Sequence, residues 1–485
     1  MSLEKKCEDT LLSLDEVLDS TKGFLIYVST SFYFKNVQTD SRSVTEGTLF
    51  IPLVGQLQDG HKYIDAALKN GASVIFIENE YYLNNKNLIE KYCKEFPSVT
   101  FIGTQNNLHA LQYAAARYVE KFPNLIRIGV TGSSGKTTTK EIALSLLKTK
   151  YNVIANKGNL NSETGLPLSV FEIRSEHEAG LFEMGMNRKE EIAELAFVLK
   201  PQYAIITNIG SAHIGILGSR ENIAHEKSNI FKYFDSTCTA IIPFDDDFTD
   251  YLTSRAQSAG KILYYGEKAP SSICTFKKDL GLMGTEFSVR GTDLVLNLPG
   301  KYNYKNAQAA ITLADTLGIS PNEIKNGLAS MPHLFGRSEV RSGKYTIVQD
   351  CYNANPDSMS KALELCSSVE LEEGKEKVFV LGDMLELGSD SYNAHKTAAL
   401  EACHSDAKII FFVGKEMKAA YDAAINSENK KTHFVYFESK DDCVIREVCK
   451  EIKEKISLGS LILIKASRGM QLERLTKVLE GEDVK

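Results

Sequence analysis

Short apolar runs along this chain give way to turns rich in Gly, Asn, Asp and Pro, and then to longer stretches whose apolar positions recur three and four apart. The runs predict buried strands and the stretches amphipathic helices, an alternation that belongs to α/β architecture. In residues 1–105, Gly47–Leu53 is strand-like, Tyr63–Asn70 is a helix stopped by Gly71, and Ser73–Ile77 is a buried strand, so parallel pairing is expected. A helix over Leu108–Lys121, closed by Pro123, joins this block to the next. In 106–335, strands at 127–131, 152–155, 179–183 and 203–207 alternate with helices at 136–148, 165–172, 188–199 and 221–234, which predicts a doubly wound sheet. Short strand-like runs over 262–298 precede a helix at 303–317. Ile241–Asp247 starts like a strand, but Pro243 cannot donate to a central ladder, so an acidic loop is expected there. In 336–485, strands at 345–350, 377–381, 408–413, 433–437 and 461–464 are each followed by a turn and a helix. The pattern therefore predicts three α/β units: a small N-terminal one, a central doubly wound one and a third at the C-terminus. No repeat and no low-complexity tract interrupts it.

Composition narrows the function classes. A chain of 485 residues is too long for one ordinary core. Its net charge of -7 argues against sequence-independent nucleic-acid binding, which needs a basic surface, but leaves phosphate-bearing small molecules open. The nine cysteines, scattered from Cys7 to Cys449, form no CxxC pair and no zinc spacing, so reduced thiols are expected. The charged residues Met1–Asp9 lead into no signal-like apolar segment, and no apolar run approaches the roughly 18 residues of a membrane span. A cytoplasmic protein without membrane contact is the expectation.

The densest chemistry lies where the strand ending at Val130 runs into Thr131-Gly132-Ser133-Ser134-Gly135-Lys136-Thr137-Thr138 and then a helix. A glycine turn opening a helix offers backbone N–H groups and a positive dipole end to phosphate. Lys136 would reach the β- and γ-phosphates of a nucleotide and Thr137 would ligate Mg²⁺. Val130 stands where a strict P-loop has its first glycine.

Ligands in open α/β sheets gather at the carboxyl ends of strands, which directs attention to the polar residues there. Glu183 ends a strand and is placed to be a second Mg²⁺ anchor. His213, in Thr207–His213, reads equally as a metal or phosphate ligand and as a loop histidine satisfied by backbone. Lys227 reads by default as a solvated helix lysine. Asn156-Lys157-Gly158-Asn159 lacks the Asp that would pair with guanine, so guanine specificity is not expected. Near the C-terminus, Gln349–Ser358, Leu381–Gly388 and Lys465–Arg468 place polar groups just past three strand ends, as a surface that meets substrate would. Arg337, at the expected domain junction, reads either as a linker arginine or as a guanidinium that swings onto a transferring phosphate.

Taken in order, these segments resemble the Mur ligase family, the ATP-dependent amide-forming enzymes of peptidoglycan synthesis. Asp350-x-Tyr352-Asn353-Ala354-Asn355-Pro356-x-Ser358-Met359 and Leu381-Gly-Asp-Met-x-Glu-Leu-Gly388 look like the branch that joins D-alanyl-D-alanine to UDP-N-acetylmuramoyl-tripeptide. The resemblance implies three domains, a small N-terminal α/β one for the UDP substrate, a central P-loop doubly wound ATPase and a C-terminal Rossmann-like one for the dipeptide, working as a monomer. Thr39, Asp40, Ser41, Arg42, Asp59 and His61 match substrate positions, as do Asn161, Tyr352, Asn353, Asn355 and Ser358. ATP is implied at residues 131–138, with Asn303 near the adenine, Arg337 at the γ-phosphate and Asp350 beside the nucleotide. Two Mg²⁺ are implied at Thr137, Glu183, His213 and Lys227, the last as a carbamate. Lys136, Lys227, His213 and Arg337 are the implied catalytic set. Ser162, Tyr302, Asn229 and Ala466 depart from common family residues. A folylpolyglutamate-type or cyanophycin-type ligase would share the ATPase core without the Tyr-Asn-Ala-Asn-Pro loop. A P-loop switch ATPase is the other alternative.

Overall fold

Apolar runs become strands where they were expected, and the strands assemble into four sheets. The computed structural model describes residues 10–55 and 57–482; Cys7 and the charged segment Met1–Asp9 lie outside them. The N-terminal sheet runs, edge to edge, Phe24–Tyr27, Thr100–Thr104, Ala72–Glu78, Thr48–Phe50 and Asn36–Gln38. The last four are mutually parallel, while Phe24–Tyr27 pairs antiparallel with its neighbour. Phe24–Tyr27 and Asn36–Gln38 have no counterpart in the sequence reading; both are short edge strands that carry little periodic signal.

The central sheet has the order Lys261–Tyr265, Thr239–Pro243, Tyr203–Ile206, Ile126–Thr131, Ala179–Glu183, Val153–Ala155. The expected acidic loop at 241–247 is thus half wrong: Thr239–Pro243 is a buried strand, parallel to Lys261–Tyr265. Pro243 is tolerated because it is the strand's last residue, and Phe244 N–H resumes the pairing to Tyr265 O at 2.9 Å. The acids Asp245–Asp247 do fall in the loop beyond. The helix expected at 221–234 is Arg220–Ser228 followed by a 3₁₀ turn, Asn229–Phe231. The runs over 262–298 give the edge strand Lys261–Tyr265 and an antiparallel ribbon of Cys274–Asp279, Thr285–Val289 and Thr292–Leu296.

The C-terminal sheet has the order Glu339–Ser342, Thr346–Asp350, Leu461–Lys465, Lys377–Gly382, Ile409–Val413, His433–Phe437. All pairs are parallel except that of the edge strand Glu339–Ser342, which the sequence reading also lacks. Alternate residues bury on opposite faces: Phe379, Leu381, Ile410, Phe412 and Leu463 on one, Val378, Val380, Ile409, Phe411 and Ile464 on the other. Each such side chain contributes about 2 kcal/mol of apolar transfer, so a one-residue slip of register is excluded.

Two compact units emerge from the packing. One holds the residues up to Gly129 with Tyr151–Ala204 and Asn229–Cys238; the other holds Val130–Lys150, Ile205–Ser228 and Thr239 onward. The phosphate turn, His213, Lys227, Arg337 and the whole C-terminal sheet therefore belong to a single unit.

Candidate active site

The glycine turn leads into the helix Lys136–Leu147, with Gly135 at its cap in the left-handed conformation at φ 78°. A side chain at Gly135 would meet the Asn306 amide, and one at Gly132 would overlap the Thr207 hydroxyl, so the turn is moulded to its surroundings. Not every amide faces inward as expected. Ser133 N–H donates to Asn208 O at 3.0 Å and Ser134 N–H to Asn208 Oδ1 at 2.9 Å. Those bonds fix the turn, leaving the first-turn amides of the helix to supply the anion-binding direction. Lys136 Nζ donates back to Gly132 O at 2.9 Å.

Around the turn, cationic groups crowd together. Lys227 is not the solvated lysine of the default reading: it is 1% exposed, and burial, with the nearby charge of Lys136, pushes its amine well below the ordinary lysine value. His213 sits at φ 65°, capping the short helix Ile214–Leu217. Burial and the charges of Lys136 and Lys227 lower its imidazole to about 3, so the ring is neutral at neutral pH. Its Nδ1 is buried without a hydrogen-bond partner, the Glu386 carboxylate lying 4.0 Å away. Arg337 Nη2 donates to Thr137 Oγ1 at 2.7 Å, and its guanidinium lies 4.2 Å from the centre of the Tyr352 ring. The arginine thus meets the phosphate turn while stacked on the loop that follows Asp350.

In the other unit, Glu183 is buried at the end of its strand, and Asn161 Nδ2 donates to its Oε1 at 2.7 Å. Asn156 bonds the backbone of Glu183 in both directions, which gives the Asn-Lys-Gly-Asn segment a structural role. In the N-terminal sheet, Asp40 caps the 3₁₀ turn Ser41–Ser43, and its bond with Arg42 holds the carboxyl down at about 2. Thr39 directly precedes this turn. His61 is buried and stacked on Tyr81 at 4.2 Å. Glu78 N–H donates to His61 Nε2 at 3.1 Å, so Nδ1 carries the proton and donates to Asp59 at 2.7 Å.

At the C-terminal sheet, the three polar loops sit side by side, because Asp350, Lys465 and Leu381 are in register on adjacent strands. Asp350 pairs with the buried Lys465 at 3.0 Å, and Lys465 also donates to Asn353 O at 2.8 Å. Asn355 and Ser358 form a reciprocal capping box at the start of helix Pro356–Ser368. Asn303 is buried and donates to Pro299 O at 2.8 Å.

Comparison with known proteins accounts for this combination. Residues 33–117 match the Mur ligase family catalytic domain, 130–314 the Mur ligase middle domain and 336–468 the Mur ligase glutamate ligase domain. A UDP-N-acetylmuramoyl-tripeptide–D-alanyl-D-alanine ligase of Treponema pallidum is 39% identical over 97% of this chain and 100% of its own length. The chain belongs to the Mur ligase family. Among solved structures, MurF from Acinetobacter baumannii superposes with a TM-score of 0.84 at 28% identity, covering 97% of this chain and 99% of that one. MurF from Thermotoga maritima in complex with ADP gives 0.74 at 28% identity, covering 92% and 97%. As a Mur ligase the chain has the three-domain α/β fold and is an ATP-dependent ligase that forms amide bonds.

Several residues in this Mur ligase escaped sequence reading. Asn208 anchors the turn, Asn306 faces Gly135, and His395, fully buried, accepts Met384 N–H at 3.0 Å and so fixes the 382–388 loop. Tyr302, a departure from the common family residue, has its hydroxyl 2.6 Å from Ser338, beside Arg337. Asn208, Asn306 and His395 act on residues outside their own elements and leave no local pattern, and Tyr302 shows in the sequence only as that departure. Among the described residues no three His, Cys, Asp or Glu side chains gather as a metal-binding group; of the expected metal positions only Glu183 and His213 are of those types.

Proposed function

We propose that this Mur ligase joins D-alanyl-D-alanine to UDP-N-acetylmuramoyl-tripeptide in cytoplasmic peptidoglycan precursor synthesis, acting as a monomer through an acyl phosphate. The observation that carries the reading is Arg337, which bonds Thr137 of the phosphate turn while resting on Tyr352 of the Asp350-x-Tyr-Asn-Ala-Asn-Pro loop. That contact brings nucleotide chemistry and an acceptor loop to one place. Residues 1–105, 106–335 and 336–485 are assigned to UDP substrate, ATP and dipeptide. In support, each sheet draws its strands from one of these stretches.

A carboxylate is a poor electrophile, and phosphorylation supplies its leaving group. Lys136, Arg337 and the first-turn amides of the helix at 136 offset the repulsion as the substrate carboxylate approaches the γ-phosphate. The carboxylate takes the γ-phosphoryl group as its bond to ADP breaks; the neutral dipeptide amine then adds to the acyl carbon, gives up a proton to solvent and expels phosphate from the tetrahedral intermediate. Thr131–Thr138 cradle the ATP phosphates, Asn303 lies by the base, and Asp350 orders the seam through Lys465. Thr39–Arg42, Asp59, His61 and Asn161 serve the UDP substrate; Tyr352, Asn353, Asn355 and Ser358 serve the dipeptide.

Thr137, Glu183, His213 and Lys227 are the residues that would hold Mg²⁺, and the donor set suits it on two counts. His213 offers a buried, unprotonated nitrogen without a partner, and burial lowers the proton affinity of the Lys227 amine, which favours the neutral form that adds CO₂ and, on losing a proton, becomes an anionic oxygen ligand. Bound Mg²⁺ would supply charge neutralisation for the phosphates.

Oxygen-18 in the tripeptide's terminal carboxylate is expected to appear in released phosphate; its full retention in the peptide product would sink the acyl phosphate. Phosphate release is expected to require D-alanyl-D-alanine and to fall with other dipeptides. Release indifferent to the acceptor would favour a switch ATPase instead.

A further inference from the structure

The helix Pro356–Ser368 begins directly after the acceptor loop, and its first turn carries Asp357, a residue with no role so far. The Asp357 carboxylate does not cap its own helix. Its Oδ2 accepts Ser211 N–H at 2.8 Å and the Ser211 hydroxyl at 3.2 Å, on the loop that leaves the strand Tyr203–Ile206. One residue earlier, Gly210 N–H donates to Ser133 Oγ at 2.9 Å, inside the phosphate turn. Two residues later stands His213. Gly210 approaches so closely that a Cβ there would overlap the Asp357 carboxylate, and Ser133 lies on the same side. Lys361, one turn along the helix, feels both Asp357 and Asp246, and Asp246 accepts Ile209 N–H at 2.9 Å from the same loop.

We propose that Asp357 is a positioning residue: by gripping Ser211 it locks the acceptor loop 350–355 onto the phosphate turn in the arrangement that reacts. The inference rests on the ligase reading above, because the amine held by one segment must reach the acyl phosphate formed at the other. A charge-assisted bond to a backbone N–H across this seam contributes to the population of the reacting arrangement and not to the affinity of either substrate alone.

The test compares the parent full-length enzyme with Asp357→Ala, Asp357→Asn, Gly210→Ala and the Gly210→Ala/Asp357→Ala pair. It reads amide-forming turnover, hydrogen exchange of the peptide spanning 205–215 and thermal melting. For Asp357→Ala, kcat is expected to fall about ten-fold or more with KM for ATP and for the UDP substrate unchanged, and the Ser211 amide should exchange about ten-fold faster. Asp357→Asn keeps an acceptor oxygen and should recover most of both. Gly210→Ala should reproduce the defect by displacing the carboxylate, and the pair should be no worse than the worse single variant. Unchanged exchange at Ser211, unchanged kcat with a raised KM for the dipeptide, or a loss that merely tracks melting would each overturn the proposal. If the parent forms no amide, the ligase reading fails, and the exchange data alone then decide whether Asp357 holds the loop.

Discussion

The phosphate turn and the C-terminal sheet edge both collect charged residues at strand ends, yet they settle those charges in opposite ways. At the edge the polar groups have partners at hand: Asp350 has Lys465, the helix amides have Asn355, and Asp383 Oδ1 accepts Met417 N–H at 2.9 Å. Around the turn, burial and then the charge of Lys136 instead lower the proton affinity of both His213 and Lys227. A region where a lysine and a helix N-terminus meet suits an incoming anion; a region already balanced holds a shape. On the proposed reading nucleotide binding concentrates at the turn, while the edge leaves Asn353 exposed and Tyr352 half-buried against Arg337.

Substitutions should separate the two regions cleanly. The largest effect is expected for Lys136→Ala and Arg337→Ala, about 10⁴-fold in turnover with folding intact. UDP-substrate binding measured by calorimetry should survive in both, and its loss would contradict the division of roles. Lys227→Met should cost about 10³-fold in turnover without lowering the melting temperature. Lys227→Ala should regain part of its activity with added short carboxylates.

The sign of the pH dependence also follows from burial. The folded protein holds the Lys227 amine below its unfolded value of 10.5, so between those two values the unfolded chain binds the extra proton. Parent stability therefore rises with pH through that window. In bicarbonate-free urea titrations, the advantage of Lys227→Met over the parent should shrink as pH climbs towards about 10. A constant difference would show that Lys227 titrates normally.

At the edge the damage should be to folding. Lys465→Met strands the Asp350 carboxylate and is expected to cost about 3 kcal/mol in denaturant unfolding. Asn355→Ala removes one half of the capping box and should cost about 1 kcal/mol, the smallest effect of the series. A turnover loss beyond what that stability change explains is expected from its role at the dipeptide, and its absence would leave Asn355 a helix cap alone.

What the sequence disclosed follows the same divide. Strands buried on both faces, such as Lys377–Gly382 and Ile409–Val413, are legible because Lys377 is their one polar residue. Glu339–Ser342 is not, since a four-residue edge strand with two charges resembles a loop. Pro243 misled for a local reason: its missing N–H matters inside a ladder and not at its last rung. The glycine turn and the loop motifs announce themselves through local spacing. Lys227 does not, because its polar surroundings in sequence, Ala224-His225-Glu226, say nothing of the side chains that close over it.

His213 bears a conformation that L-residues adopt at a cost of roughly 1 kcal/mol. A glycine would sit there at ease and would present no ring. The backbone thus pre-aims the imidazole before anything arrives to meet it. Engineering this loop for heat resistance would begin by relaxing the very bend that gives the nitrogen its direction.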